Sequence, residues 1–101
     1  MQTLPLAKVG HFIGGAPSEG ASDRFGDVFE PATGELARRV AFATTAEVDH
    51  AVRTARAAFA AWSETPPIRR AAVLFRFREL VVRDTEKLAA LITAEHGKTI
   101  A

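Results

Sequence analysis

Few side chains in this chain are suited to chemistry, and their spacing argues against most of the reactions they suggest. Gly97-Lys98-Thr99 ends like the phosphate-binding loop G-x-x-x-x-G-K-[ST], in which backbone amides cradle phosphates and the lysine neutralises them. Ile92 stands where the loop needs its first glycine, on a segment that reads as helix rather than strand. Gly97 is therefore expected to stop a helix. Gly10, Gly14 and Gly15 do not match G-x-G-x-x-G, and no helix opens after them, so they read as turn glycines.

His11, His50 and His96 are too scattered to offer two metal ligands from one helix or turn, and each is expected at the surface or bonded locally. None lies near a serine or cysteine and a carboxylate at a catalytic spacing. The chain contains no cysteine, which excludes a disulfide framework, a thiolate zinc site and a thiol nucleophile. Arg69, Arg76 and Arg83 recur every seven residues and stripe one helix, with Arg70 and Arg78 set off from it. Guanidinium groups match phosphate oxygens, so one reading is an anion site for a phosphate-bearing cofactor. Glu79, Asp84 and Glu86 lie among them, which favours a solvated face or a subunit contact. From the residues alone, no catalytic, cofactor-binding or metal-ligating residue is assigned.

The elements that would carry such residues fall into two stretches. Residues 1–43 hold six of the seven glycines with Pro5, Pro17 and Pro31, and read as hairpins and turns; residues 44–101 are rich in alanine, arginine and leucine and read as helical. His11-Phe12-Ile13 runs into Gly14-Gly15, which can supply the positive φ angles of a tight hairpin turn. Phe25 to Phe29 leads into Glu30-Pro31-Ala32-Thr33-Gly34-Glu35, a type I turn with its exit glycine. A second hairpin follows, with Leu36, Arg38, Val40 and Phe42 on one side of its return strand and Ala37, Arg39 and Ala41 on the other.

Thr44 and Glu47 have the spacing of a capping box. Behind them Val48, Val52, Ala55, Phe59 and Trp62 form one apolar stripe that needs a partner surface. Thr65 reads as the N-cap of a second helix with Pro66 and Pro67 in its first turn. From Ile68 to Val82 that helix is apolar round much of its circumference, a pattern of burial on more than one side. Asp84 reads as the cap of a third helix, whose Leu88, Leu91, Ile92 and Glu95 share a face before Gly97.

Composition bounds the rest. A chain of 101 residues, 48% hydrophobic and 25% charged, has room for one modest, folded, soluble domain. A formal charge of +1 gives no field that favours nucleic acid or an anionic membrane. Met1 to Gly10 lacks the charged and hydrophobic regions of a secretory signal, and no stretch reaches the roughly 20 apolar residues of a membrane span, so the chain reads as cytoplasmic.

The order of these motifs resembles the start of the aldehyde dehydrogenase superfamily. The resemblance rests on His11-Phe12-Ile13-Gly14-Gly15, on Pro31-Ala32-Thr33-Gly34-Glu35, on Ala55-Arg56-Ala57-Ala58-Phe59 with Trp62, and on Leu88-Ala89-Ala90-Leu91 followed by Gly97-Lys98. It runs from about His11 to the last residue and leaves the first ten uncovered. Glu30 departs from it, standing where the family usually has Asn before the turn. Arg24-Phe25-Gly26-Asp27-Val28-Phe29, Thr65-Pro66-Pro67 with Val73-Leu74-Phe75, and Leu91 through Thr99 are closer to the CoA-acylating methylmalonate- or malonate-semialdehyde branch.

The resemblance implies an α/β fold of which residues 1–101 are a single, incomplete N-terminal segment: β-hairpins followed by three helices, which in the full protein pack on a doubly wound NAD-binding domain. It implies a homotetrameric parent, in which a cysteine attacks the aldehyde, hydride passes to NAD, and the thioester is released to CoA. The segment itself is expected to be inert and to bind neither NAD nor CoA, its main partner being the remainder of its own enzyme. No catalytic or cofactor residue of the family carries over to a position in this sequence. Lys98-Thr99-Ile100-Ala101 stops where the family's next helix would start, which favours a fragment of an enzyme over a stand-alone binding module.

Overall fold

The computed structural model describes residues 6–100; Met1 to Pro5, part of the stretch read above as lacking a secretory signal, and Ala101 lie outside the described residues. Five short strands precede three helices: β1 (Ala7–Val9), β2 (His11–Ile13), β3 (Ala16–Ser18), β4 (Phe25–Phe29), β5 (Leu36–Ala41), α1 (Thr45–Glu64), α2 (Pro67–Arg83) and α3 (Thr85–His96).

Both expected hairpins form, each for a local reason. β2 and β3 pair antiparallel, His11 opposite Ser18, across Gly14 and Gly15 at φ of 63° and 80°. Positive φ at both central positions is what a two-residue turn matching the twist of its strands requires, and glycine adopts it without a Cβ penalty. β4 and β5 pair antiparallel, Phe25 opposite Ala41, with an irregularity between Val28 and Phe29. Their turn is closed by the Thr33 and Gly34 amides donating to the Glu30 carbonyl at 3.3 and 2.7 Å. Glu30, the departure from the family pattern, accepts from the Ala32 amide through its own carboxylate at 3.4 Å, so it still bonds the turn backbone two residues on.

One pairing has no counterpart in the sequence reading. β1 lies parallel to β5, Ala7 beside Arg38 and Val9 beside Val40, giving a three-stranded sheet of order β1-β5-β4. A three-residue strand carries too few alternations to announce itself.

The α1 start is as expected: the Thr44 hydroxyl accepts from the Glu47 amide at 3.1 Å and the Glu47 carboxylate accepts from the Thr44 amide at 3.0 Å. The next two caps differ from expectation. Thr65 closes α1 instead of opening α2: its amide donates to the Trp62 carbonyl and its hydroxyl donates back to the Ala61 carbonyl at 2.9 Å. Pro66 takes the N-cap of α2 with no side-chain bond, and Pro67 starts the helix. Asp84 does sit between α2 and α3, but at φ −101°, ψ 17° its side chain makes no capping bond. A capping side chain normally stands on extended backbone. The Asp84 carboxylate is held by Arg83 instead, at 2.8 and 3.0 Å, and the guanidinium pKa is raised by that pairing. Gly97 ends α3 in the left-handed conformation, φ 81°.

Almost nothing is buried. Ala41 is the one hydrophobic residue that counts as core among the described residues, and no residue of α1, α2 or α3 is buried. The expectation that α2 is covered on more than one side is not met within this chain: Ile68 is 80% exposed and Phe75 67%. The physical reason is the absence of a second layer over it. The radius of gyration is 17.7 Å, against about 13 Å for a compact domain of this length. The accessible surface is 8670 Å², against roughly 5,600 Å² for a compact protein of this mass.

Candidate functional site

Arg83 is occupied by Asp84, and the α2 terminus nearest Arg69 opens with Pro66 and Pro67, which have no amide hydrogen to offer an anion. Among the described residues the stripe's one ion pair is Arg83 with Asp84, and the anion-site reading gains no support. His50 lends its backbone carbonyl to the Thr54 hydroxyl at 2.8 Å, a local role. The described residues hold no group of three or more His, Asp or Glu side chains placed to bind a metal. Lys98 offers its carbonyl to the Thr93 hydroxyl at 2.6 Å, and the Gly97 amide donates to the Thr93 carbonyl at 2.9 Å. That arrangement is a helix stop, as expected, with the Gly97 amide turned back onto α3.

The densest polar cluster lies between the first hairpin and α1. Glu47 accepts from the Thr44 amide and from the Ala21 amide at 3.2 Å, and its second oxygen lies 3.4 Å from His11 Nε2. These backbone donors, Thr44 first and Ala21 next, hold the Glu47 carboxyl below its ordinary value, against a smaller opposing effect of burial. His11 Nε2 is shielded from solvent and makes no well-aligned hydrogen bond, so its contact with Glu47 is electrostatic. Sequence reasoning identified Glu47 only as a helix cap. Nothing in the 35 positions between it and His11 signals the contact.

The cofactor implied by the resemblance does not fit these residues. A dinucleotide needs free amides at a helix start and a close backbone approach through glycine. The α1 start is filled by its own Thr44 and Glu47, α2 opens with prolines, and Asp84 places a carboxylate at the start of α3.

What the chain does present is apolar surface. Along α1, Val48, Val52, Phe59 and Trp62 are 51%, 61%, 65% and 43% exposed, all on the stripe expected from the sequence. Phe77, Leu80, Val81 and Leu88 line an open groove of about 270 Å³ in the corner of α2 and α3. Glu95, from the face expected to carry Leu88, Leu91 and Ile92, reaches β5 and pairs with Arg38 at 3.0 Å. No helix among the described residues is long and apolar enough to cross a membrane.

The described residues thus form five short strands and three helices whose large apolar side chains are mostly exposed. The family model "Aldehyde dehydrogenase family" matches residues 18–101, and the chain belongs to that family. Within it, the chain is 42% identical over 101 residues to malonate-semialdehyde dehydrogenase 2 of Oceanobacillus iheyensis, covering all of this chain and 21% of that protein. It is 41% identical over 99 residues to the human mitochondrial acylating methylmalonate-semialdehyde/malonate-semialdehyde dehydrogenase, covering 98% of this chain and 18% of that one. Among solved structures, a protein of Sinorhizobium meliloti 1021, provisionally named a methylmalonate-semialdehyde dehydrogenase and complexed with NAD, superposes with a TM-score of 0.92 at 41% identity. The superposition spans 98% of this chain and 20% of that one. The chain thus spans about a fifth of the length of the relatives it matches. The likeness extends through the first ten residues, which the sequence motifs had left uncovered.

Proposed function

We propose that this chain is the amino-terminal scaffold of an NAD-dependent, CoA-acylating methylmalonate- or malonate-semialdehyde dehydrogenase, and that it is inert by itself. The observation that carries this reading is the 42% identity to a malonate-semialdehyde dehydrogenase along all 101 residues. The reaction is oxidation of an aldehyde to an acyl-CoA with NAD⁺ as hydride acceptor, and the thiol nucleophile it needs is not among the residues of this chain. The residues here serve by position: β4 and β5 carry the small sheet, and α1 to α3 present apolar faces to the remainder of the enzyme. The longer enzyme is read as a cytoplasmic homo-oligomer.

A second reading within the family has its own support. The chain is also 43% identical to the aldehyde dehydrogenase C of Pseudomonas syringae, solved as a cysteine-to-alanine mutant with NAD⁺ and octanal, over 82% of this chain and 17% of that one. One assay separates the two. NAD⁺ reduction is followed with malonate semialdehyde, methylmalonate semialdehyde or octanal, each with and without CoA, for the 101-residue chain and for a longer product carrying it. The expected outcome is no turnover by the chain and CoA-dependent oxidation of a semialdehyde by the longer product. Turnover by the 101-residue chain above a buffer blank overturns the scaffold reading, and CoA-independent oxidation of octanal by the longer product overturns the substrate assignment.

A further inference from the structure

The first hairpin and α1 are separated by a groove of about 310 Å³ lined by His11, Phe12, Ile13, Glu47, Val48 and Val52. Phe12 is 74% exposed and Val52 61%, so apolar packing across this groove is incomplete. Polar contact is concentrated at one end of it. There Glu47, the third residue of α1, has one carboxylate oxygen shared between the Thr44 and Ala21 amides, with His11 Nε2 of β2 facing the other at 3.4 Å. Side-chain exposures of 17% and 18% for His11 and Glu47 are low for a molecule with so little core. The His11 ring is also fixed from behind. A Cβ added at Gly20, which sits at φ 86°, would lie 3.1 Å from Nε2 and 3.2 Å from the Cβ of Ala41. Glycine at position 20 thus lets the loop close over the imidazole.

From this geometry we infer that Glu47 is a clasp: one carboxylate that caps α1 and at the same time holds the β2–β3 hairpin against it through His11 and Ala21. The two duties are separable, because the cap uses Thr44 and the clasp uses His11 and Ala21. The carboxylate accepts from two backbone amides on different segments, and hydrogen bonds to an ionised acceptor are stronger than neutral ones. Away from the clasp Phe12 and Val52 stay exposed, and the hairpin nears α1 again at its turn, where a Cβ added at Gly14 would lie 3.3 Å from Thr54 Cγ2. The inference concerns how the scaffold is held together and is independent of the substrate proposed above.

Hydrogen exchange on the full chain, read separately for peptides covering residues 7–19 and 45–64, tests it. His11→Phe keeps a ring but removes the imidazole, and is expected to speed exchange of the hairpin about tenfold while leaving α1 within twofold. Thr44→Ala is expected to do the reverse, loosening the first turn of α1 and sparing the hairpin. Glu47→Ala is expected to do both. The inference is overturned if His11→Phe leaves hairpin exchange within twofold of the starting chain, if it speeds hairpin and helix by the same factor, or if the hairpin of the starting chain shows no protection.

Discussion

Phe59→Ala is expected to have very different costs in the two contexts this chain invites. In the 101-residue chain the ring is 65% exposed, so about a third of its surface is removed from water. Complete burial of such a side chain is worth ~1.5–3 kcal/mol, and a third of that is about 0.5–1 kcal/mol. In a longer dehydrogenase, where a second layer covers the stripe of Val48, Val52, Ala55, Phe59 and Trp62, the same truncation becomes a core deletion costing ~3–5 kcal/mol. Urea denaturation followed by helical circular dichroism, on matched pairs in both contexts, gives the comparison. The affinity of the folded longer enzyme for NAD is expected to change little, because a phenylalanine offers no group that holds a pyrophosphate. A cost below about 1 kcal/mol in both contexts would refute the claim that this face is core in waiting. A tenfold loss of NAD affinity, about 1.4 kcal/mol, with unchanged stability would show that a binding surface has been mistaken for one.

Three further outcomes follow from the geometry. The excess of about 3,000 Å² of accessible surface over a compact protein of this mass predicts dye binding or self-association by the isolated chain, and a cooperative melt from a dye-negative monomer would contradict it. Because native contacts hold Glu47 below its unfolded value, its contribution to stability is present above the ordinary carboxylate range and is lost as pH falls through the depressed native value. The acid limb of a helicity-against-pH titration should therefore shift when Glu47 is replaced by Gln, and an unmoved limb would remove Glu47 from the account. Gly97→Ala puts a Cβ on a residue at φ 81°, 3.2 Å from Pro31 Cγ, and is expected to cost ~1–2 kcal/mol in the longer enzyme, read from its denaturation midpoint.

What was legible in the sequence was local. Gly14-Gly15 had to be a tight turn because two successive positive φ angles leave few alternatives, and Thr44 with Glu47 had to open a helix because their spacing matches the reach of their side chains. Gly97 as a helix stop was legible for the same reason. The failures lie where two local solutions compete. Thr65 can cap a following helix or close the preceding one, and the α1 carbonyls left free at its end took it first. Asp84 can cap α3 or pair with its neighbour, and a near-helical backbone at the corner left only the pairing. The parallel β1–β5 contact and the His11–Glu47 contact join residues roughly thirty or more positions apart, and no periodicity within either segment encodes the other.

The same division explains why a chain with almost no core still superposes on a relative with a TM-score of 0.92. Caps, turn glycines and strand pairs set the path of the backbone, and all but the parallel β1–β5 pair are satisfied within a few residues or across one hairpin. Stability comes from a different source, the apolar area that packed layers remove from water together, and among the described residues little apolar area is removed. Much of the remainder lies on the helices. Val48, Val52, Phe59 and Trp62 line one side of α1, while α2 is apolar round much of its circumference and interrupted by the stripe of Arg69, Arg76 and Arg83. A helix with that pattern needs cover on more than one side and water along its arginines. Under the proposal above, that cover is expected from the remainder of a longer dehydrogenase, because a small partner touching one side of α2 would leave its other apolar face exposed.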